Sequence, residues 1–148
     1  MRWFLFPLLA LGCVPKGPVP LQNLMAGPQS SGSLATEPSG VLIVESGGTY
    51  SLMTTLNAKN LGERPIRVDL SRARVSVDDL PFLNCKQAPG TNPADLIATI
   101  GPNQSGQAKV ICRDIAKPIQ KVELKFYTSG TGVSGEVTVG FYGLGERP

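Results

Sequence analysis

A chain of 148 residues with 41% hydrophobic and 17% charged side chains has room for one ordinary domain, and is neither a disordered polyampholyte nor a membrane bundle. It contains no histidine, which excludes Ser-His-Asp triads, Cys-His dyads and zinc sites with His ligands. The formal charge of +3 is too small to point to nucleic acid as a partner, and 17 Gly with 13 Pro argue for many turns rather than long helices.

Met1-Arg2 gives a short positive start, and residues 3–11 form an apolar run broken only by Pro7. That run is too short to cross a bilayer, which takes ~20 apolar residues. A positive start, a short apolar stretch and small residues ahead of a cut site are the layout of a secretory signal, expected over residues 1–12. The segment Leu9-Ala10-Leu11-Gly12-Cys13 resembles the lipobox of bacterial lipoproteins. The resemblance implies that Cys13 is lipidated and becomes the mature N-terminus, anchoring the chain to a membrane. Ala10-x-Gly12 also suits an ordinary signal peptidase, which would leave Cys13 unmodified. Val14 after the cysteine, in place of an Asp retention signal, points to the outer membrane if the host has two membranes.

Residues 13–40 include thirteen Gly, Pro or Ser, carry charge only at Lys16 and Glu37, and hold no period. They read as a disordered tether with a mean reach of ~30 Å. Residues 143–148 read as a short tail.

Residues 41–142 read as strands. Val41 to Glu45 supplies the first. Tyr50, Leu52, Thr54, Leu56 and Ala58 share one face at period two, and after a turn Ile66, Val68 and Leu70 resume the alternation. Parity flips near Ser71, where Ala73, Val75 and Val77 take over the inward face, so a bulge or bend is expected there. Asp78-Asp79 is a turn. A short apolar strand at residues 96–100 and a turn cluster from Gly101 to Gly106 come next. Ala108, Val110 and Cys112, then Val122, Leu124 and Phe126, then Val137, Val139 and Phe141 alternate in turn. Seven or eight strands without a convincing helix make an all-β sandwich. The turns Asn60-x-Gly62-x-x-Pro65-Ile66 and Ile100-x-Pro102-Asn103-x-Ser105-Gly106 resemble those of small immunoglobulin-like extracytoplasmic domains of bacteria. The resemblance implies a fold and no catalytic site.

Three cysteines in an exported chain leave one over after a single disulfide. If Cys13 carries lipid, Cys85 and Cys112 form a closed pair. Two buried free thiols are the rival reading, and a metal site is disfavoured because two thiolates fill only half a tetrahedron. Arg64, Arg67, Arg72 and Arg74 place four guanidinium groups within 11 residues, either as a docking patch for anions or as a solvated face paired with Asp69, Asp78 and Asp79. Asp78-Asp79 lacks the ligand spacing of an EF-hand. No cofactor or metal is expected, and no glycine loop precedes a helix as phosphate binding requires.

The sequence therefore describes a non-enzymatic binding or structural module, held in the cell envelope by lipid and meeting an envelope protein. Two alternatives stay open at this stage. One is a small hydrolase using two carboxylates, and the other is a carrier holding a small ligand between the sheets.

Overall fold

The structure is a computed structural model that describes residues 19–20, 29–130 and 135–142, with the side chains of 19–20, 29–31 and 37–41 left aside. The signal segment, Cys13 and the tail at 143–148 lie outside the described residues. Ten strands run in chain order: β1 (Val19–Pro20), β2 (Gln29–Ser31), β3 (Leu34–Ser46), β4 (Thr49–Asn60), β5 (Ile66–Val77), β6 (Leu83–Asn84), β7 (Ile97–Ile100), β8 (Ser105–Ile115), β9 (Lys121–Gly130) and β10 (Gly135–Tyr142). One 3-10 turn, Pro93–Leu96, leads into β7; Asn92 caps it by accepting from the Ala94 N–H at 3.1 Å. No helix among the described residues is long and apolar enough to cross a membrane.

Two antiparallel sheets form the sandwich. The first has the order β1-β3-β4-β8, with β2 also on β3; the second has the order β10-β9-β5-β6, with β7 also on β5. Read as an immunoglobulin-like fold, β3, β4 and β8 occupy the A, B and E places, and β5, β9 and β10 the C, F and G places. The alternation seen in the sequence sets the layers. Leu52, Leu56, Val110 and Cys112 from one sheet meet Val68, Leu124, Phe126, Val139 and Phe141 from the other, all nearly or fully buried. Burying each such side chain contributes ~1.5–3 kcal/mol.

The expected slip in β5 is present and large. Asp69 pairs with Tyr127 and Arg74 with Lys125, so Leu70, Ser71, Arg72 and Ala73 stand opposite the single Phe126. The Asp69 carboxylate shapes this bulge by accepting from the Ser71 N–H at 2.9 Å and from the Ser71 hydroxyl.

The boundary of the folded unit needs correction. Strand β3 begins at Leu34, not residue 41, and β1 and β2 also lie within residues 13–40. Leu34 and Thr36 are buried at period two, and Leu34 pairs with Asn60. Backbone pairing to the twelve-residue β4 orders this stretch despite its Gly, Pro and Ser content. Pro38 sits beside a register shift between Ser39 and Leu42, where an irregular ladder tolerates it.

The sandwich has two distinct ends. At one, β3 and β4 turn through Gly47-Gly48, whose φ angles of 58° and 84° suit a two-residue hairpin turn that side-chain-bearing residues rarely adopt. The loops at residues 78–82 and 116–120 lie at this same hairpin end, since Tyr50 pairs with Ile115 and Val77 with Val122. At the other end Asn60 is fully buried. Its Nδ2 donates to the Arg64 carbonyl at 2.7 Å and the Ile100 carbonyl at 3.1 Å, and its Oδ1 accepts from the Gly62 N–H at 2.8 Å. The Asn-x-Gly turn is thus a polar pin between β4, the approach to β5 and the end of β7.

Cys85 and Cys112 are bonded, with Cα atoms 4.7 Å apart and a sequence separation of 27. Just after β6 the chain leaves the second sheet: the Cys85 N–H still donates to Ala73, while the Lys86 carbonyl accepts from Arg113 of β8 at 2.9 Å. The bond therefore ties the two sheets together at that crossing.

Two stability measurements follow from these ties. Asn60→Ala removes the partner of the buried Ile100 carbonyl and of the part-buried Arg64 carbonyl and Gly62 N–H, so urea unfolding should show a loss of about 2–4 kcal/mol at unchanged slope. The pair Cys85→Ala with Cys112→Ala should lose roughly 3–4 kcal/mol by opening the loop. Mass spectrometry of the parent without reductant should find no free thiol at either position.

Candidate functional site

The outer face of the second sheet carries the side chains singled out in the sequence, and the structure disperses them. Arg64 lies in the loop before β5, where its carbonyl serves Asn60. Arg67 sits 3.8 Å from Asp69, with its side chain half exposed. Arg72 is in the bulge, where its charge acts on Asp69. Arg74 bonds Glu136 across the sheet from β10. Lys125 reaches the same Glu136 at 3.8 Å and lies 4.1 Å over the Phe82 ring. Lys121 meets Asp79 and approaches Glu123 at 3.7 Å. The face is a checkerboard of opposite charges, the arrangement of a solvated sheet surface. Each such exposed pair contributes ~0–1 kcal/mol.

The carboxylates of Asp69, Asp78 and Asp79 are committed to structure. Asp78, at φ 48°, accepts from the N–H groups of Ile119, Gln120 and Lys121 at 2.8, 2.8 and 2.9 Å. One carboxylate therefore holds the loop ahead of β9 against the turn after β5. Burial pushes the Asp78 carboxyl up, but these three N–H donors and the nearby Lys121 charge outweigh it and hold it below its ordinary value. Asp69 behaves alike: burial raises it, and the Ser71 hydroxyl and N–H with Arg67 and Arg72 bring it below. The Asp79 carboxylate, in turn, holds Lys121 above its ordinary value. Among the described residues no three His, Cys, Asp or Glu side chains gather as a metal would require.

A feature that periodicity does not reveal lies near the hairpin end, where the edge of β6 faces the last residues of β8. An open cleft of about 130 Å³ is floored by Leu80, Leu83, Ile115 and Ala116 and rimmed by Arg113 and Lys86. Leu80 and Leu83 are 52% and 64% exposed, and Ile119 in the neighbouring loop is 53% exposed. The rim bends because Arg113 and Asp114 stand opposite the single Ser51, with Asp114 at φ 55° in the left-handed region that Asp tolerates. Lys86 pairs with Asp114 at 3.3 Å. The arrangement offers apolar contact beside cationic groups. The apolar run Leu80-Pro81-Phe82-Leu83, set among turn residues, is the one sequence signal that could have marked it.

No protein-family model matches the chain, and no curated protein matches it. Solved structures resemble it in fold. The candidate lipoprotein ycdA of Bacillus subtilis aligns at TM-score 0.58 and 16% identity, over 78% of this chain and 38% of its own length. This chain thus spans well under half of that protein. The yjhA protein of Bacillus subtilis aligns at TM-score 0.48 and 11% identity, covering 68% of this chain and 77% of its own. The apo PCuAC domain of PmoF2 aligns at 0.47 and 16%, covering 78% and 93%. At these identities the likeness is one of fold, and the fold is a β-sandwich.

Depressed carboxyls fix the pH dependence. Asp69 and Asp78 release protons more readily folded than unfolded, so their contribution is complete above the unfolded value and lost as pH falls through the folded one. Stability should be level above about pH 5 and decline below about pH 4. Asp78→Asn keeps one acceptor without the charge, and should cost about 1–3 kcal/mol at neutral pH while flattening the acid decline. Denaturant midpoints across pH measure both.

Proposed function

We propose that this chain is a lipid-anchored, non-enzymatic module of the bacterial cell envelope, presenting its β-sandwich to an envelope protein. The observation that carries the reading is the assignment of the cysteines. Cys85 and Cys112 are bonded to each other, which leaves Cys13 as the one cysteine unaccounted for, directly behind Leu9-Ala10-Leu11-Gly12. A structural disulfide suits an oxidising compartment outside the cytoplasm. The likeness to ycdA, itself a candidate lipoprotein, is in keeping with that location.

Two further observations favour binding over catalysis. Asp69 and Asp78 bind backbone N–H groups, and Asp79, Asp114, Glu123 and Glu136 pair with basic side chains. Carboxylates so engaged are poorly placed to trade protons with a substrate. The cleft of about 130 Å³ is also small and open, whereas pockets that enclose small ligands hold roughly 300–1,000 Å³.

Cys13→Ser tests the anchor. Serine cannot form the thioether, so the variant should leave the membrane fraction and lose the mass of the lipid. Unchanged membrane association, with no added mass on Cys13 of the parent, removes the reading.

A further inference from the structure

Strand β1 runs antiparallel to β3, with Val19 opposite Ile43 and Pro20 opposite Leu42. The N-terminal end of β1 therefore points toward the hairpin end. Six positions separate Cys13 from Val19, and a chain of that length extends at most about 20 Å. Val19 itself stands about 10 Å short of the hairpin tip, beside Ile43 and three positions from Ser46. A lipid on Cys13 would thus keep Val19 within about 20 Å of the bilayer surface, with the hairpin end on the side from which β1 starts.

That same end is where apolar side chains reach water. Of the five large apolar side chains left exposed among the described residues, Leu80, Leu83 and Ile119 are here. Of its carboxylates, Asp79 pairs with Lys121 and Asp114 with Lys86, while Asp78 is held by three N–H groups and keeps its charge. Arg113 and Lys117 are exposed and have no carboxylate partner among the described residues. Exposed leucine and isoleucine beside cations without a direct carboxylate partner are the chemistry of a surface that seats on anionic headgroups.

We infer that the hairpin end of the sandwich docks on an anionic lipid surface, with Leu80, Leu83 and Ile119 entering the interface and Arg113 and Lys117 meeting the headgroups. The inference rests on the anchored reading, since three side chains bind weakly unless a tether keeps them at high local concentration. Docking then leaves the Asn60 end and the sheet faces turned toward a protein partner.

The test supplies the tether chemically, so that it does not depend on lipidation in the cell. Every core residue lies between Leu34 and Phe141, so a chain beginning at residue 13 keeps the fold and lacks Trp3, the only tryptophan. Its Cys13 thiol is coupled to a maleimide lipid in vesicles of phosphatidylglycerol and phosphatidylethanolamine doped with brominated lipid. Single indoles are introduced by Ile119→Trp at the docking end or Leu61→Trp at the far end. The indole at position 119 should shift to the blue and lose most of its emission, while that at position 61 should keep its spectrum. Adding Arg113→Glu and Lys117→Glu should restore the emission at position 119. Equal spectra at the two positions, or equal quenching at position 119 on phosphatidylcholine vesicles, overturns the inference. A Cys13 that proves unlipidated in the cell overturns the anchored reading instead.

Discussion

A buried primary amide brings two N–H groups and a carbonyl oxygen that must all find partners, and Asn60 finds them where the chain passes from one sheet to the other. Each partner belongs to a different piece of structure: the turn itself, the loop before β5, and the end of β7. Asn60 itself is fully buried, so its amide cannot turn to water for a lost partner, at a cost of about 1–3 kcal/mol. The pin fixes the start of β5 opposite Gly130 and Ile100, and hence the register of the second sheet. It also receives β3, whose first residue, Leu34, pairs with Asn60 itself. Hydrophobic burial drives the two layers together, but it is indifferent to small slips along them. The amide is not, because its hydrogen bonds have short range and fixed direction.

The charged groups follow the same economy of position. Asp78 closes one end of the sandwich with three N–H bonds, and Asp69 shapes the bulge that lets β5 pair on both its edges. Basic side chains on the outer face meet acidic neighbours within a strand or across one, as Arg74 and Lys125 do at Glu136. Placed this way, charge keeps the face solvated and discourages pairing with other chains. Two arginines of the cluster that is dense in sequence, Arg67 and Arg74, thereby meet carboxylates in space. Among the described residues, Arg113 and Lys117 near the cleft have no carboxylate partner.

Period-two alternation made the long strands readable, because a half-buried sheet imposes that period on side chains directly. The bulge in β5 was readable for the same reason: a parity slip at Ser71 has no other cheap explanation. The disulfide followed from counting thiols. Strand β3 upstream of residue 41 was not readable, since its order comes from backbone pairing to β4 and composition there favours disorder. Asp78 was legible as a turn residue, but its partners stand more than forty positions away, and no local pattern encodes that contact. The exposure of Leu80 and Leu83 was hidden as well. Whether an apolar residue is covered depends on which neighbouring layer ends first, and β6 is only two residues long.

The crossing after β6 has a consequence for how the protein meets a peptidase. Between Cys85 and Cys112 lie the most exposed connections of this region, residues 89–95 and 102–105. These are the places where a peptidase would first find extended chain. A single cut in either stretch leaves both new ends inside the loop closed by the disulfide, so the two pieces remain one covalent molecule. A cut at 102–105 leaves β7 paired to β5 on one side and β8 paired to β4 on the other. A cut at 89–95 leaves both strands on its C-terminal side, each still paired. The nicked protein would keep its sheets and its core, and damage at its most accessible loops would not split it into two molecules.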